Sequence, residues 1–414
     1  MPFPRMIKVK QELYRAGNID IAATVQQELA RVELPMRLRP GMKIAVTAGS
    51  RGIAGLPEVL RAIVAFLREH ATQPFIVPAM GSHGGATAAG QVEVLKSIGV
   101  TEKSVGAPIV SDMATVKLGE SRNGVPVYFD RHAAQADGLI AVNRVKEHTD
   151  FVGDIESGLM KLVAIGLGKH KGAQTLHALG IENMSESVIS ACRFAASKLN
   201  FFFAVGLLED AYHNLAAIEA FRPEELECGE RRLLRRAKEH APRLPFRELE
   251  LLIVEQLGKE ISGTGMDTNV IGRSPTGLKR PGPQLACRRI VALGLTKETK
   301  GNAVGLGLAD LATLRLLQQM DLVQTYTNVL TSGNFAFANI PPVLENDKTA
   351  IEAALTRGIN KQPEELRVVR IKDTLHLDSF DISEGLLAEA RENPKLAIAG
   401  KPRPMRFDGK GKLL

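Results

Sequence analysis

The fold of this chain is decided by two neighbouring stretches, KIAVTAGSRGIAGLPEVLRAIVAFLREH at 43–70 and PFIVPAMGSHGGATAAGQVEVLKS at 74–97. Each reads as a short apolar strand, a glycine-containing loop and a helix with apolar side chains every three or four residues. Because short loops join each strand to its helix, two such units in succession predict a parallel, doubly wound sheet. The predicted elements are the strands Lys43–Thr47 and Pro74–Ala79 and the helices Pro57–His70 and Ala86–Ser97.

The loops after these strands carry polar side chains suited to binding. Ser50 and Arg51 follow the first strand, and His83 follows the second within GSHGG. A further buried strand, Gly138–Val142, leads directly to His148. Since ligands of parallel sheets bind at the carboxyl ends of the strands, we expect these residues at one edge of the sheet. Backbone N–H groups in such loops are suited to a phosphate or carboxylate.

The segment that follows, Asn143–His177, reads NRVKEHTDFVGDIESGLMKLVAIGLGKHKGAQTLH. It holds three histidines and five glycines in 35 residues, which is too glycine-rich for one long helix and too polar for a core strand. Titratable side chains on a glycine-cleared backbone are typical of a site for an anion or cofactor. Within this segment we expect His170, flanked by two lysines, to be a solvated turn residue.

The remainder of the chain continues the alternation of strands and helices. Pro242 and Pro245 indicate a boundary, so we predict α/β class with two Rossmann-like domains, 1–245 and 246–414, and the active site in the cleft between them. The residues after Leu386, about 25 of them, could return to the first domain. The other predicted elements are helices at 21–32, 185–197, 223–240, 308–319 and 348–357, strands at 201–207, 248–254, 289–295 and 366–371, and a hairpin within 107–130 that turns at Asn123-Gly124.

Composition limits the classes of function. The net charge is +7, but the basic residues are scattered without interleaved aromatics, which disfavours a nucleic-acid partner and favours small anionic substrates. The three cysteines form no CxxC pair, which is typical of a reducing compartment. The sequence shows no signal peptide and no apolar run of membrane-spanning length. We therefore predict a cytoplasmic protein that binds no membrane.

The candidate residues allow more than one chemistry. His83, His148 and His177 could act as general bases or as zinc ligands, although no HExxH or HxH spacing is present. Lys161 could form a Schiff base. The glycine patterns match neither the dinucleotide fingerprint nor the P-loop. From the residues alone, the interpretation stops at a two-domain α/β enzyme with a histidine–lysine anion site.

Four motifs in order along the chain narrow this choice: GSH at Gly81–His83, KEH at Lys146–His148, SGLMK at Ser157–Lys161 and LH at Leu176–His177. At these motifs the sequence resembles the lactate racemase family, whose enzymes use a nickel-pincer nucleotide. The resemblance covers nearly the full length of the chain.

The resemblance implies a role for each matching residue. Lys161 would be joined to the cofactor through a thioamide, and His177 would be the protein ligand to nickel. His83 and His148 would be the acid–base pair. Other residues would contact the phosphate or the substrate: Ser50, Arg51, Ser157 and Gly158 on the cofactor side, and Gln256, Lys259 and again Arg51 on the substrate side.

Departures from the family pattern concern the substrate. The stretch between His148 and Lys161 is longer than in the lactate enzymes and carries the acidic residues of Asp150–Glu156. The chain also has no tryptophan. The resemblance therefore implies a racemase or epimerase of another 2-hydroxy acid or a sugar acid, acting by proton-coupled hydride transfer to the covalently held cofactor. Its partners would be that substrate and the cofactor-synthesis enzymes, with a homo-oligomer also open. Two alternatives remain: a zinc-dependent lyase or hydrolase using the same histidines, and a catalytically silent anion- or cofactor-binding protein.

Overall fold

The chain forms two compact units in a computed structural model that describes residues 3–50, 52–274, 282 and 284–414. The larger unit is Tyr14–Ala241, and the smaller unit combines Met1–Leu13 with Pro242–Leu414. The strands are β1 (Arg5–Gln11), β2 (Lys43–Ala48), β3 (Gln73–Pro78), β4 (Thr115–Glu120), β5 (Pro126–Asp130), β6 (Gly138–Arg144), β7 (Phe201–Glu209), β8 (Leu215–Phe221), β9 (Glu248–Val254), β10 (Ala286–Ala292), β11 (Leu311–Thr313), β12 (Val343–Leu344), β13 (Val368–Ile371), β14 (Ser379–Ser383) and β15 (Leu396–Pro404). The α-helices are α1 (Ile21–Arg31), α2 (Leu56–Glu69), α3 (Ala88–Ser97), α4 (Glu102–Val105), α5 (Arg131–Ala134), α6 (Leu159–Lys161), α7 (Lys169–His177), α8 (Met184–Lys198), α9 (Leu226–His240), α10 (Thr268–Ile271), α11 (Leu314–Gln319), α12 (Leu322–Ser332), α13 (Asp347–Thr356) and α14 (Leu387–Glu392).

The larger unit is built on a five-stranded sheet in the order β3-β2-β6-β7-β8. The first four strands pair in parallel, and β8 returns antiparallel to β7. The apolar runs that predicted β2, β3 and β6 are buried on both faces, as parallel strands covered by helices require. The mixed α/β class is confirmed, and so is the parallel sheet of this unit.

Helices cover this sheet in the way that the sequence pattern predicts. In α2 the buried side chains recur every three or four residues and include Val59, Leu60, Ile63, Val64 and Leu67. The expected hairpin is β4–β5, an antiparallel pair whose turn contains Gly124 at a φ of +71°. Strand β8 was absent from the sequence prediction, because its run LAAIEAF has too little alternation to mark a strand.

The segment Asn143–His177 differs from the glycine-rich loop that the sequence suggested. Residues 159–177 are almost continuously helical: α6 passes through a π-helical turn, Leu162–Gly166, into α7. Its glycines serve close packing, since a Cβ on Gly166 would lie 2.6 Å from the carbonyl oxygen of Ala79. His177 therefore ends a helix rather than lying in a loop. His170 is also in α7, with a buried Nδ1 rather than the solvated position expected.

The smaller unit contains an eight-stranded sheet in the order β12-β11-β10-β9-β13-β14-β1-β15. Strands β9 to β13 pair in parallel, whereas β14, β1 and β15 are antiparallel. The predicted strand 248–254 is confirmed as β9. The predicted helix 308–319 is wrong in its first half, which forms β11 before α11 begins.

The two chain ends correct the predicted division into 1–245 and 246–414. Strand β1 belongs to the smaller unit, because it pairs with β14 on one side and with β15 on the other. The residues after Leu386 also remain in this unit rather than returning to the larger one. The N-terminal segment is anchored in this sheet by the buried side chains of Met6, Ile7 and Val9 of β1. Among the described residues, no helix is long and apolar enough to cross a membrane.

Candidate functional site

The candidate residues of the larger unit follow the carboxyl ends of neighbouring parallel strands. Ser50 follows β2, His83 follows β3 and His148 follows β6. The ends are tied together, since the Ala79 N–H donates to the Ala48 carbonyl at 2.8 Å. Arg51, predicted to bind cofactor and substrate, lies outside the described residues.

The centre of the site is a direct contact between His148 and Lys161. Lys161 Nζ lies 2.6 Å from His148 Nε2, and the backbone N–H of Asp150 donates to Nδ1 of the same ring at 3.0 Å. The ring of Phe151, itself buried, lies 4.3 Å from the His148 ring and 5.2 Å from Lys161 Nζ. A histidine and a lysine separated by 13 residues thus form one polar pair beside an aromatic face.

The acidic stretch between them has a structural role. The loop that it forms is closed by backbone hydrogen bonds in both directions between Lys146 and Ser157. Glu156 is buried inside this loop, where its carboxylate accepts from the His148 backbone N–H at 2.6 Å and from Lys238 Nζ at 2.5 Å. Asp154 pairs with an arginine of α9 at the surface. These contacts fasten the loop to α9 and hold His148 in place.

Gly158, a predicted cofactor-binding residue, packs so closely against Glu230 that a side chain has no room at this position. A Cβ on Gly158 would lie 1.9 Å from Glu230 Oε1. The other carboxylate oxygen accepts from the Met160 N–H at 2.8 Å, so this fully buried carboxyl group sits at the start of α6. Burial raises the pKa of Glu230 to about 8. At the same turn, Asn143 Nδ2 donates to the Gly158 carbonyl at 2.8 Å, which connects β6 to the SGLMK motif.

His177 stands at the end of α7 with part of its ring open to solvent. The protein surrounding it lowers the pKa of its imidazole, and the positive charge of Lys161 lowers it further. The two effects favour the neutral ring, which is the form that coordinates a metal.

The loop of His83 is held against α7 by a buried polar network that the sequence did not predict. Lys169 is fully buried and donates to the Pro78 carbonyl at 2.6 Å and to Gln91 Oε1 at 3.2 Å, while Asp130 Oδ2 lies 3.1 Å from its Nζ. Gln91 then donates to the Gly81 and His83 carbonyls. His83 itself is exposed. The network therefore connects the start of the His177 helix with the loop that presents His83.

The sequence contained a signal that could have pointed to Glu230 as a residue of the site. It lies four residues after Leu226 and four before Leu234 on the predicted helix, so an acidic residue stood on an apolar face. Glu156 and Lys169 offered no comparable signal, because their partners lie far away in sequence.

The smaller unit holds the remaining two candidates, in the loop after β9. The Gln256 N–H donates to the Lys372 carbonyl at 2.9 Å, and Lys259 Nζ donates to Asn328 Oδ1 at 2.7 Å and to the Gly263 carbonyl. Both residues are half-buried at the carboxyl ends of parallel strands. Their role as substrate ligands stays a prediction.

A metal site made of protein ligands alone would need several ligating side chains close together. In the part of the chain that the structure describes, no group of three His, Cys, Asp or Glu side chains could hold a metal ion. A cofactor that brings its own metal donors needs only one protein ligand, and the imidazole of His177, whose pKa is lowered by burial, fits that requirement.

Comparisons with known proteins concern the sequence of the larger unit and the fold of the chain. Residues 16–188 match the family model described as the lactate racemase N-terminal domain. The lactate racemase apoprotein from Thermoanaerobacterium thermosaccharolyticum has a similar fold, with a TM-score of 0.54 and 12% identity over 89% of this chain and 98% of the other. A protein from Thermotoga maritima matches with a TM-score of 0.51 and 15% identity over 68% and 72% of the two chains. No curated protein matches the sequence. Residues 16–188 thus match the lactate racemase N-terminal domain in sequence, and the chain as a whole has a fold similar to that of the lactate racemase apoprotein.

Proposed function

We propose that this protein is a racemase or epimerase that acts on a 2-hydroxy acid other than lactate, or on a sugar acid. It would work by proton-coupled hydride transfer to a nickel-pincer nucleotide held covalently by Lys161. The observation that supports this best is the contact of Lys161 Nζ with His148 Nε2 within the matched N-terminal domain, on the same helical run that ends at His177. The loop of His83 lies against the π-helical turn that precedes the helix of His177, since the Gly81 N–H donates to the Gly166 carbonyl at 3.0 Å.

The residues that would hold the cofactor have distinct chemistry. Lys161 offers an amine for the thioamide, and His177 offers a neutral imidazole for nickel. Ser50, Arg51, Ser157 and Gly158 are our candidates to contact its phosphate, since loops at the carboxyl ends of parallel strands suit phosphates. When bound, the cofactor would supply a ring carbon that accepts a hydride and returns it.

The chain itself would perform the proton transfers. His148 and His83 would each remove the hydroxyl proton from one enantiomer and return a proton to the product of the other direction. Histidine suits this exchange because it titrates at about pH 6.5 and takes either form near neutrality. Lys259, Gln256 and Arg51 would hold the carboxylate, so that only the hydroxyl-bearing carbon reorients.

Cellular context belongs to the same proposal. The enzyme would be cytoplasmic, a setting that suits the three free cysteines, and would depend on cofactor-synthesis enzymes for maturation. It would act alone or as a homo-oligomer. Nucleic acid and membranes have no part in this function.

The test is cofactor attachment. The chain is produced together with the cofactor-synthesis enzymes, and its intact mass and nickel content are measured alongside Lys161→Arg and Lys171→Arg. We expect a mass adduct and nickel in the wild type and in Lys171→Arg, which alters an exposed lysine of α7, and neither in Lys161→Arg. Absence of both from the wild type would refute the proposal.

Turnover is then measured on the loaded protein. A panel of 2-hydroxy acids and sugar acids is incubated in the presence of the enzyme, and each product is analysed on a chiral column. Conversion of one stereoisomer identifies the substrate. A loaded protein that converts no member of a broad panel and exchanges no isotope at carbon 2 would instead be a catalytically silent homologue.

A further inference from the structure

A basic cavity lies on one face of the eight-stranded sheet of the smaller unit, where β1 runs between β14 and β15. Its volume is about 410 Å³, and small-molecule sites commonly measure about 300–1,000 Å³. Among the described residues that line it, Asp381 is the one acidic side chain. Five lining side chains are basic: Lys8, Arg370, Lys401, Arg403 and Arg406. The cavity is therefore predominantly positive.

The pairing of β1 with β15 explains how these charges come to share one surface. Met6 lies opposite Arg403, and Lys8 lies opposite Ala399. Since side chains two residues apart on a strand point to the same face, Met6 and Lys8 both line the cavity. Lys401, between Ala399 and Arg403 on β15, lines it as well. The backbone hydrogen bonds of the sheet thus hold cations from β1 and β15 beside one another.

The acidic residue that lines the cavity is already engaged. Asp381 lies 3.9 Å from Arg370. The same guanidinium also donates to Glu255 at 2.7 Å and to the Leu414 carbonyl at 2.9 Å. In the described part of the chain, no carboxylate forms an ion pair with the other four cations, and all four are exposed. Like charges held close together repel one another, so an anion bound among them would be stabilised.

We propose that this cavity binds a small molecule that carries two or more phosphate or carboxylate groups. Arg403 and Arg406 offer planar guanidinium groups that bind the oxygens of either anion in pairs. Lys8 and Lys401 add compact charges to the same surface. A cavity lined by one sign of charge also raises the local concentration of such an anion. This site goes beyond the proposed function, since its residues lie outside the matched range 16–188.

The features of β15 favour a small molecule over a peptide or a nucleic acid. β15 is at the edge of the sheet, where a peptide could add as a further strand. Pro402 and Pro404 lack the N–H groups that such pairing uses, and the charges of Lys401 and Arg403 oppose it as well. A nucleic acid would be bound by cations interleaved with aromatic rings, and the described residues that line the cavity include no aromatic side chain.

The experiment is isothermal titration calorimetry on the full chain without cofactor, at low salt. Sodium tripolyphosphate and citrate are the probes, and acetate, with a single charge, is the comparison. We expect at least one of the two probes to bind, with an affinity that falls as salt is added, and acetate to bind far more weakly. The tighter of the two probes shows whether phosphate or carboxylate is preferred. Binding of neither probe would overturn the proposal.

Two double variants with the same change of charge separate this cavity from the net charge of the protein. Lys401→Gln with Arg403→Gln removes two cations of the cavity, and the affinity for the bound probe should fall at least about tenfold. Arg391→Gln with Lys395→Gln removes two exposed cations of the same unit that do not line the cavity, and the affinity should change little. Each variant is first shown to be folded by circular dichroism. Equal weakening in the two double variants would contradict the proposal.

A chemical measurement locates the bound anion on the chain. The wild type is acetylated briefly with N-hydroxysuccinimidyl acetate, with and without the bound probe, and each lysine is followed by peptide mass spectrometry. We expect the probe to slow acetylation of Lys8 and Lys401 and to leave exposed Lys395 unchanged. Protection of Lys161 alone would place the anion in the larger unit and overturn the proposal. Because the protein carries no cofactor in these experiments, their outcome is independent of the proposed racemase function.

Discussion

Replacing Gly158 by alanine should destabilise the protein through a direct collision with Glu230. The new Cβ would lie 1.9 Å from Oε1 and 2.7 Å from Cδ, whereas carbon atoms in contact prefer about 3.5–4.0 Å. Glu230 is fully buried and cannot turn toward solvent, so it must shift and lose its hydrogen bond from Met160. Overpacking contributes about 1–3 kcal/mol and the lost buried hydrogen bond about 1–3 kcal/mol. We therefore expect a loss of roughly 2–6 kcal/mol in the free energy of unfolding.

Equilibrium urea unfolding of four proteins tests this reasoning: the wild type, Gly158→Ala, Glu230→Ala and the double variant. If the collision is the cause, Gly158→Ala should cost little once Glu230 has been shortened, which gives a large coupling energy. Gly52→Ala is the matched control, because a Cβ there meets nothing within 4 Å. A loss of the same size in both backgrounds, or no loss in the wild-type background, would refute the collision.

Three further predictions concern buried charges. The pKa of Glu230 is about 8 in the folded protein and the ordinary value is 4.5, so between these values the folded protein binds more protons than the unfolded chain. The free energy of unfolding of the wild type should therefore fall from pH 5 to pH 8 by up to about 1.4 kcal/mol per pH unit relative to Glu230→Gln. The same difference between the two proteins at both pH values would contradict this. Glu209 has the opposite shift: despite burial, its hydrogen bond with a histidine and the charge of a neighbouring arginine lower its pKa to about 2, so its contribution is present above pH 4.5 and lost as the pH falls toward 2. Glu209→Gln should flatten the acid-unfolding curve between pH 5 and pH 2.5, and an unchanged midpoint would show that the pair is not responsible. Lys169→Met leaves Asp130 charged and buried, and it should lower the free energy of unfolding by about 3–5 kcal/mol in thermal or urea unfolding. Adding Asp130→Asn to Lys169→Met should restore much of the lost free energy. Lys171→Met, at an exposed position, should change the free energy of unfolding little.

The regular elements of the larger unit could be predicted because their signals are local. The apolar run of β2 and the three- and four-residue spacing in α2 follow from burial against a neighbouring layer, whatever that layer is. The positions of Ser50, His83 and His148 followed in turn, since the direction of parallel strands fixes which loops share an edge. The family resemblance came from the same short motifs, and the match at residues 16–188 supports it.

The segment Asn143–His177 was predicted less well because two local preferences conflict there. Its glycines lower helix propensity, which favoured a loop. Tertiary packing outweighed that preference: the glycines let α6, the π-helical turn and α7 approach the neighbouring backbone closely. The N-terminal strand β1 was not predicted for a related reason, because its partners β14 and β15 are more than 350 residues away in sequence.

By itself the sequence determined the α/β class, the strands β2, β3 and β6 whose ends carry the candidate residues, and the identity of the residues that could carry chemistry. The tertiary structure alone decided which of them meet: His148 with Lys161, Glu156 with Lys238, Glu230 with Gly158, and Lys169 with Asp130 and Gln91. Periodicity and turn chemistry are properties of adjacent residues, so they can be read along the chain. Contacts between side chains depend on how separate elements pack, and a buried charge finds its partner only when that packing is complete.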